Sequence, residues 1–223
     1  DLLLSHNYIT HLLVARKELV DQVGGFRPEF DGAQDYDLLL RLTENTDRVM
    51  HIAEPLYHWR QSVQSTSLDT GAKPLAHMRG CQAVTEALDR RGIRGEVLTA
   101  NGPHFFRVRR KIIDQPLVEI VIPFRDQPLM LRKCIDALLA NTRYPQYRIL
   151  GVDNGSTEML THELMSQYES ETDHVRFERL DVPFNFSQIV NFGVRNAQGI
   201  HVVLMNNDIE VINSDWLEAM LEH

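Results

Sequence analysis

Two cysteines and two tryptophans are all that the 223 residues contain. Cys81 and Cys134 form no metal-ligand spacing, and a single pair does not make a disulfide framework. Neither a disulfide scaffold nor a cysteine zinc site is indicated, and a cytoplasmic setting fits that cysteine usage. No apolar run approaches the roughly 18 residues of a membrane-spanning helix, and no charged-then-apolar leader opens the chain. Positive charge is also short, with 23 Lys and Arg against 31 Asp and Glu, a net charge of -8. That balance speaks against nucleic acid as a partner, because binding it needs a basic surface to neutralise phosphates. The one basic run, residues 107–111, reads as a solvated strand edge or linker, with contact to an anionic ligand or membrane surface as the alternative. The first residue is Asp1 rather than Met, which reads as an absent upstream part. Residues 221–223 read either as native helix or as the start of a vector tag.

With 43% hydrophobic and 24% charged residues the composition is that of a globular protein. Three regions follow one another: residues 1–70, a connector over 71–115, and 116–223. In the first, residues 8–15 are β-branched and apolar and predict a strand, and residues 16–23 predict a short helix stopped by Gly24-Gly25. Asp35, Leu38, Leu39 and Leu42 then recur at helical spacing, which sets Asp35 in line with a buried face at the first turn. Residues 49–53 and 56–59 read as short strands. The connector carries a helix over 74–91, with Leu75, Met78, Cys81, Val84 and Leu88 as its apolar stripe and Gly92 at its end. Two short strands follow, over 96–99 and 105–108.

From Leu117 the pattern becomes a regular β-α alternation, with strands over 118–122, 147–152, 175–180 and 201–205. Helices are predicted between them, over 158–168 and 186–196 and through Leu131, Ile135, Leu138 and Leu139. This is an α/β series of Rossmann type, which implies a parallel sheet with ligands at the carboxyl ends of its strands. Three clusters fall at such ends: residues 123–126, 153–156 and 206–208. No Gly-x-Gly-x-x-Gly follows the first strand, where Pro123-Phe124-Arg125-Asp126 stands instead. A nicotinamide oxidoreductase and a sugar nucleotidyltransferase are disfavoured on that ground.

Val121-Ile122-Pro123-Phe124-Arg125-Asp126, Val152-Asp153-Asn154-Gly155-Ser156 and Phe184-Asn185-Phe186-Ser187, then Asn191-Phe192-Gly193 and Leu204-Met205-Asn206-Asn207-Asp208, together resemble the inverting glycosyltransferases of family 2. That family has the GT-A fold, and the likeness is to its tandem enzymes of bacterial surface polysaccharide synthesis. The resemblance implies donor contacts from Pro123, Asp126, Asp153, Asn191, Asn206, Asn207 and Asp208. It also implies that Asp208 helps hold Mg or Mn against the donor diphosphate, hard oxygen ligands suiting a hard cation. Asn206 stands where the commoner motif has an Asp, so the cation is expected to assemble with the nucleotide. Asp153 reads alternatively as a strand-end turn former. Near the other end, Val23-Gly24-Gly25-Phe26 with Gly32-Ala33-Gln34-Asp35-Tyr36-Asp37 resembles the acceptor-side motif, and Asp35 matches the general base. The alternative makes Asp35 a helix N-cap, or Asp37 an acid stabilised by the helix dipole. Leu56-Tyr57-His58-Trp59-Arg60 resembles the segment that closes over the phosphates, with His58 assisting the metal and Arg60 the diphosphate.

In that family the donor half precedes the acceptor half, and here Asp35 precedes Asp208. The expectation is therefore the acceptor-side half of one GT-A domain followed by the Rossmann-like nucleotide-binding half of a second. A nucleotide-sugar donor and a glycan or lipid-linked glycan acceptor are the implied partners. Placement at the inner face of the plasma membrane, through peripheral association, goes with such an acceptor. A noncatalytic nucleotide-binding or scaffolding module derived from the family is the alternative.

Overall fold

A computed structural model describes residues 2–10, 12–58, 73–100 and 102–222. The chain divides into two compact units, residues 1–111 and 112–223. In the first, helices α1 (Leu2–Ser5), α2 (Lys17–Gln22), α3 (Gln34–Thr43) and α4 (Lys73–Arg90) precede an antiparallel hairpin, β1 (Gly95–Thr99) and β2 (Phe106–Arg110). α2 stops where predicted, because Gly24 and Gly25 take φ of 80° and 65°, a conformation that costs a residue without Cβ little. One core joins Leu3 and Leu4, Phe30, Tyr36, Leu39 and Leu40 to Val84 and Leu88 of α4 and Phe106 and Val108 of β2. The elements expected as a connector thus complete the core of the first unit.

Two other expectations change here. The buried face of α4 is Ala83, Val84, Ala87 and Leu88, while Leu75 and Met78, expected in the stripe, are exposed. The face is narrow because large rings lie against it: a Cβ at Gly80 would sit 2.9 Å from the Phe106 ring. Of the predicted strands over 8–15, 49–53 and 56–59, the described residues join no sheet, and His11 and Trp59 lie outside them. β propensity describes a fit to a half-buried pleated surface, and without a ladder partner it makes no strand. Leu12, Val14, Val49, Met50, Ile52 and Leu56 are accordingly exposed. Residues 12–16 and 48–52, with Glu54, Leu56 and Tyr57, line a groove of about 870 Å³ that Leu39 and Leu42 of α3 also line.

The hub of this unit is Asp37, which is fully buried. Arg27 and Arg41 both donate to it, Arg27 through Nε at 3.1 Å and through a shorter Nη2 bond, Arg41 through Nε and Nη2. Arg41 also donates to the carbonyls of Val23 and, at 2.7 Å, Gly25, while Arg27 reaches Glu86 of α4 at 2.8 Å. Burial pushes the Asp37 carboxyl up, but the guanidinium hydrogen bonds outweigh it and hold the group below the usual carboxylate range. Asp37 does lie in the first turn of α3, as the dipole alternative has it, and the buried ion pair adds to that placement.

The second unit is the parallel α/β sheet expected from Leu117 onward. Strands β3 (Val118–Phe124), β4 (Tyr147–Asp153), β5 (Val175–Arg179) and β6 (His201–Leu204) alternate with α5 (Pro128–Asn141), α6 (Met159–Glu171) and α7 (Phe186–Asn196), and α8 (Trp216–Leu221) follows. The sheet order is β5-β4-β3-β6, parallel throughout. Along β3, Val118, Ile120, Ile122 and Phe124 face the core with Leu131 and Ile135 of α5 and Leu164 of α6, whereas Val121 joins Leu150, Val152 and Ile189 of α7 on the other side. α7 reaches the sheet because Gly193 has no side chain: a Cβ there would lie 2.4 Å from Val121 and 2.9 Å from Val152. Asn185 caps the helix, its side chain accepting from Gln188 N at 3.0 Å.

Two stability tests follow from these contacts. Replacing Asp37 with Asn should leave two guanidinium groups undercompensated and lower the stability of the first unit by about 3–5 kcal/mol, read by denaturant unfolding. Because the Asp37 carboxyl is held low in the folded state, its contribution is present above the unfolded value near pH 4 and is lost as pH falls through the folded value. Wild type should therefore lose first-unit stability in that acid window, and Asp37→Asn should show a flatter profile there. Gly193→Ala should cost about 1–3 kcal/mol in the second unit through overpacking, measured by thermal unfolding.

Candidate functional site

In the second unit the strand order reverses between β3 and β6: β4 and β5 lie to one side of β3, and α7 crosses back to bring β6 to the other. A doubly wound sheet opens a crevice at such a switch point, outside the carboxyl ends of the strands. β6 pairs with β3 only as far as Val121 with Leu204, and Met205 N then donates to Val121 O at 3.0 Å. Pro123, two residues on, turns its ring nitrogen toward the same side, past the last β6 pair. A proline is tolerated inside this central strand because no ladder bond is asked of it there.

Beyond Phe124 the chain enters a strained turn, with Asp126 and Gln127 at φ of 52° and 57°. Such residues need surrounding bonds to hold them. Asp126 N donates to Ser156 Oγ at 2.7 Å, and its carboxylate accepts from Thr157 N at 2.7 Å and Glu158 N at 2.9 Å. These amides at the start of α6, that of Glu158 foremost, hold the Asp126 carboxyl below its ordinary range. The β3–α5 and β4–α6 loops are thereby tied together.

Asp153, the last residue of β4, is fully buried, with one oxygen on Ser156 N and the other on Arg179 Nη1, both at 2.8 Å. It performs the turn-forming role weighed for it, around Gly155 at φ 74°. Asn154 is also buried; its amide donates to Leu180 O and Val182 O, and its Oδ1 has no partner among the described residues. Asn206, Asn207 and Asp208 leave the end of β6 in an open turn, with Asn206 and Asp208 exposed. Cys134 of α5 lies beside them, its thiol 3.8 Å from Asn206 O and pushed up to about 11 by burial. Asn191 is exposed on α7.

The second unit thus brings Pro123, Asp126, Asp153 and residues 206–208 to one edge of one sheet. In the first unit Asp35 is half-buried in the first turn of α3; the N-cap position is Ala33, so the N-cap alternative for Asp35 does not hold. Its Oδ1 accepts from Tyr36 N at 2.9 Å and its Oδ2 from Asn7 Nδ2 at 3.1 Å. His58 is exposed in a segment without helix or strand, and Arg60 lies outside the described residues. Among the described residues no group of three or more His, Cys, Asp or Glu could hold a metal ion. Sequence reasoning passed over Asn7, Arg27, Arg41 and Arg179. Only the Asn185 cap, three residues before Gln188 at a helix start, carried a local signal.

A doubly wound sheet with an oxygen-rich carboxyl edge is a framework that binds ligands at its switch point. Residues 119–223 match the family model Glycosyl transferase family 2, and the second unit is a glycosyltransferase domain of that family. Over 99% of its length the chain is 41% identical to the O-antigen biosynthesis protein RfbC of Myxococcus xanthus, and equally to protein y4gI of Sinorhizobium fredii. It spans 17% and 25% of those two relatives. The glycosyltransferase AglE of Haloferax volcanii is 28% identical over 46% of the chain, a stretch that is 34% of AglE. Among solved structures, the mannosyltransferase PcManGT of Pyrobaculum calidifontis in complex with GDP-Man and Mn2+ aligns at a TM-score of 0.45 and 17% identity, over 68% of this chain and 41% of its own. S. aureus TarS 1-349 aligns at 0.41 and 18%, over 47% and 31%.

The tie through Asp126 is directly testable by hydrogen exchange. In Asp126→Ala the amides of Thr157 and Glu158 should lose protection by about tenfold or more, while amides in the middle of β4 keep theirs.

Proposed function

We propose that the chain joins two glycosyltransferase domains of a tandem enzyme, the acceptor side of one followed by the nucleotide-sugar-binding half of the next. The observation that carries this reading is the placement of Pro123, Asp126 and residues 206–208 around the β3/β6 switch point, in the unit that matches the family. The order of Asp35 before Asp208, and the small share of RfbC and y4gI that the chain spans, support the tandem arrangement. The identity to an O-antigen biosynthesis protein supports surface polysaccharide synthesis as the process, with a glycan or lipid-linked glycan as acceptor.

The reaction is an inverting displacement. A hydroxyl oxygen of the acceptor forms a bond to the anomeric carbon as the bond from that carbon to the nucleoside diphosphate breaks, and the hydroxyl proton passes to the acceptor-side carboxylate. In the first domain that carboxylate is Asp35. The exposed Asp208 carboxylate and the Asn206 and Asn207 carbonyls are hard oxygen donors open to a ligand. They suit Mg or Mn whose remaining oxygens come from the diphosphate better than a cation caged in advance. A cation held there would supply positive charge to offset that of the departing diphosphate. The buried Oδ1 of Asn154 adds an acceptor beneath the β4 loop, where the nucleoside would lie.

Calorimetric titration of the chain with UDP, dTDP and GDP, with and without Mn, tests the donor half. At least one nucleotide should bind only with the cation, and Asp208→Ala should weaken that binding about tenfold or more, as expected for loss of a charged ligand. Cation-independent binding that survives Asp208→Ala would overturn the metal role. Absence of all binding would mean either an incomplete site or the scaffolding alternative, which transfer activity of the full-length protein would separate.

A further inference from the structure

Asn7 follows α1 at a point held on both sides. Leu3 and Leu4 are buried in the core, and Tyr36 Oη donates to Leu3 O at 2.5 Å, so the backbone leading to Asn7 is pinned to α3. From there Asn7 Nδ2 donates to Asp35 Oδ2 at 3.1 Å, while Asp35 Oδ1 takes the Tyr36 amide at 2.9 Å. One donor on each oxygen sets the plane of a carboxylate whose terminal torsion is otherwise broad.

The other end of the same amide gives the second observation. Asn7 Oδ1 is buried and has no hydrogen-bond partner among the described residues. An unpaired buried oxygen is a net cost, and an apolar side chain of similar size would avoid it. Turning the amide over would not help, because Oδ1 would then face the Asp35 carboxylate, acceptor against acceptor. The amide therefore sits in an orientation that satisfies Asp35 and leaves Asn7 itself unsatisfied. A residue serving only to fill space would not be arranged so.

We propose that Asn7 is a positioning residue for Asp35: it holds Oδ2 in a fixed direction before the acceptor hydroxyl arrives, and it does so at the expense of local stability. This rests on the reading of Asp35 as the general base of the first domain. The effect belongs to turnover rather than to ground-state binding, since a misdirected base loses the near-attack geometry without altering the contacts that hold either substrate.

The experiment compares Asn7→Leu, Asn7→His and Asp35→Asn. Thermal unfolding is measured on the 223-residue chain, and glycosyl transfer on the full-length protein that carries it. Asp35→Asn should abolish the transfer performed by the first domain and so define that activity. Asn7→Leu should melt at the same or a higher temperature than wild type. It should also lower kcat of that transfer about 10- to 100-fold, with both KM values within about threefold of wild type. Asn7→His, whose ring N–H reaches the same position, should restore most of the lost kcat. Full kcat in Asn7→Leu, or a lower melting temperature with unchanged kcat, would overturn the positioning role and leave Asp35 as the base. Transfer that survives Asp35→Asn would overturn the base reading, and the role of Asn7 with it.

Discussion

The first unit depends on a carboxylate sealed from water. Asp37 is fully buried, and a charge in that place is tolerable only because two guanidinium groups meet it. The spare N–H groups of those arginines then reach the turn after α2 and the side of α4. One buried charge thereby fixes where three helices converge. It also settles the division of labour between two acids two residues apart. Two steps along a helix turn a side chain by roughly 200°, so the two acids meet different partners: fully buried Asp37 takes Arg27 and Arg41, and half-buried Asp35 takes Asn7. The anchor and the candidate base are separate residues, and the rigidity of the first serves the aim of the second.

The second unit is constrained through backbone approach. Gly193 lets α7 lie against Val121 and Val152, and this contact seats the helix on the face opposite α5 and α6. The crossing of α7 delivers β6 beside β3 and creates the switch point at which residues 206–208 emerge. Glu119 secures the opposite end of the sheet: fully buried, it accepts from Arg176 of β5 and from the Gln198 and Gly199 amides just before β6. With the lower end locked by charge and the helix by close contact, the upper edge is left to the loops. Those loops carry the strained Asp126-Gln127 pair and the open Asn206-Asn207-Asp208 turn.

A glycosyltransferase domain asks its fold for a rigid sheet with exposed oxygen donors at one edge, and the second unit has both. The first unit presents a different surface. Its segments at residues 12–16 and 48–57, which belong to no helix or strand, bear apolar side chains to solvent around a broad groove, and Asp35 is not among the residues that line it.

The sequence by itself determined the β-α alternation from Leu117 onward, the parallel sheet, the helices α2, α3 and α4 and the two short strands β1 and β2. These rest on local periodicity and on glycine, proline and capping residues whose effects act within a few positions. It also placed Pro123, Asp126, Asp153 and Asp208 at strand ends, because a strand end is itself a local feature. Only the tertiary structure decided that residues 8–10, 12–15, 49–53 and 56–58 form no strands, since pairing needs a neighbour that propensity does not supply. Only packing extended the buried face of α4 to Ala83 and Ala87 and left Leu75 and Met78 exposed, with the Phe106 ring close against Gly80. The partners of Asp35 and Asp37 were equally out of reach. Asn7 lies 28 positions from Asp35, and Glu86 lies 59 from Arg27. Contacts across such separations are made by the folded chain and leave no periodic trace in it.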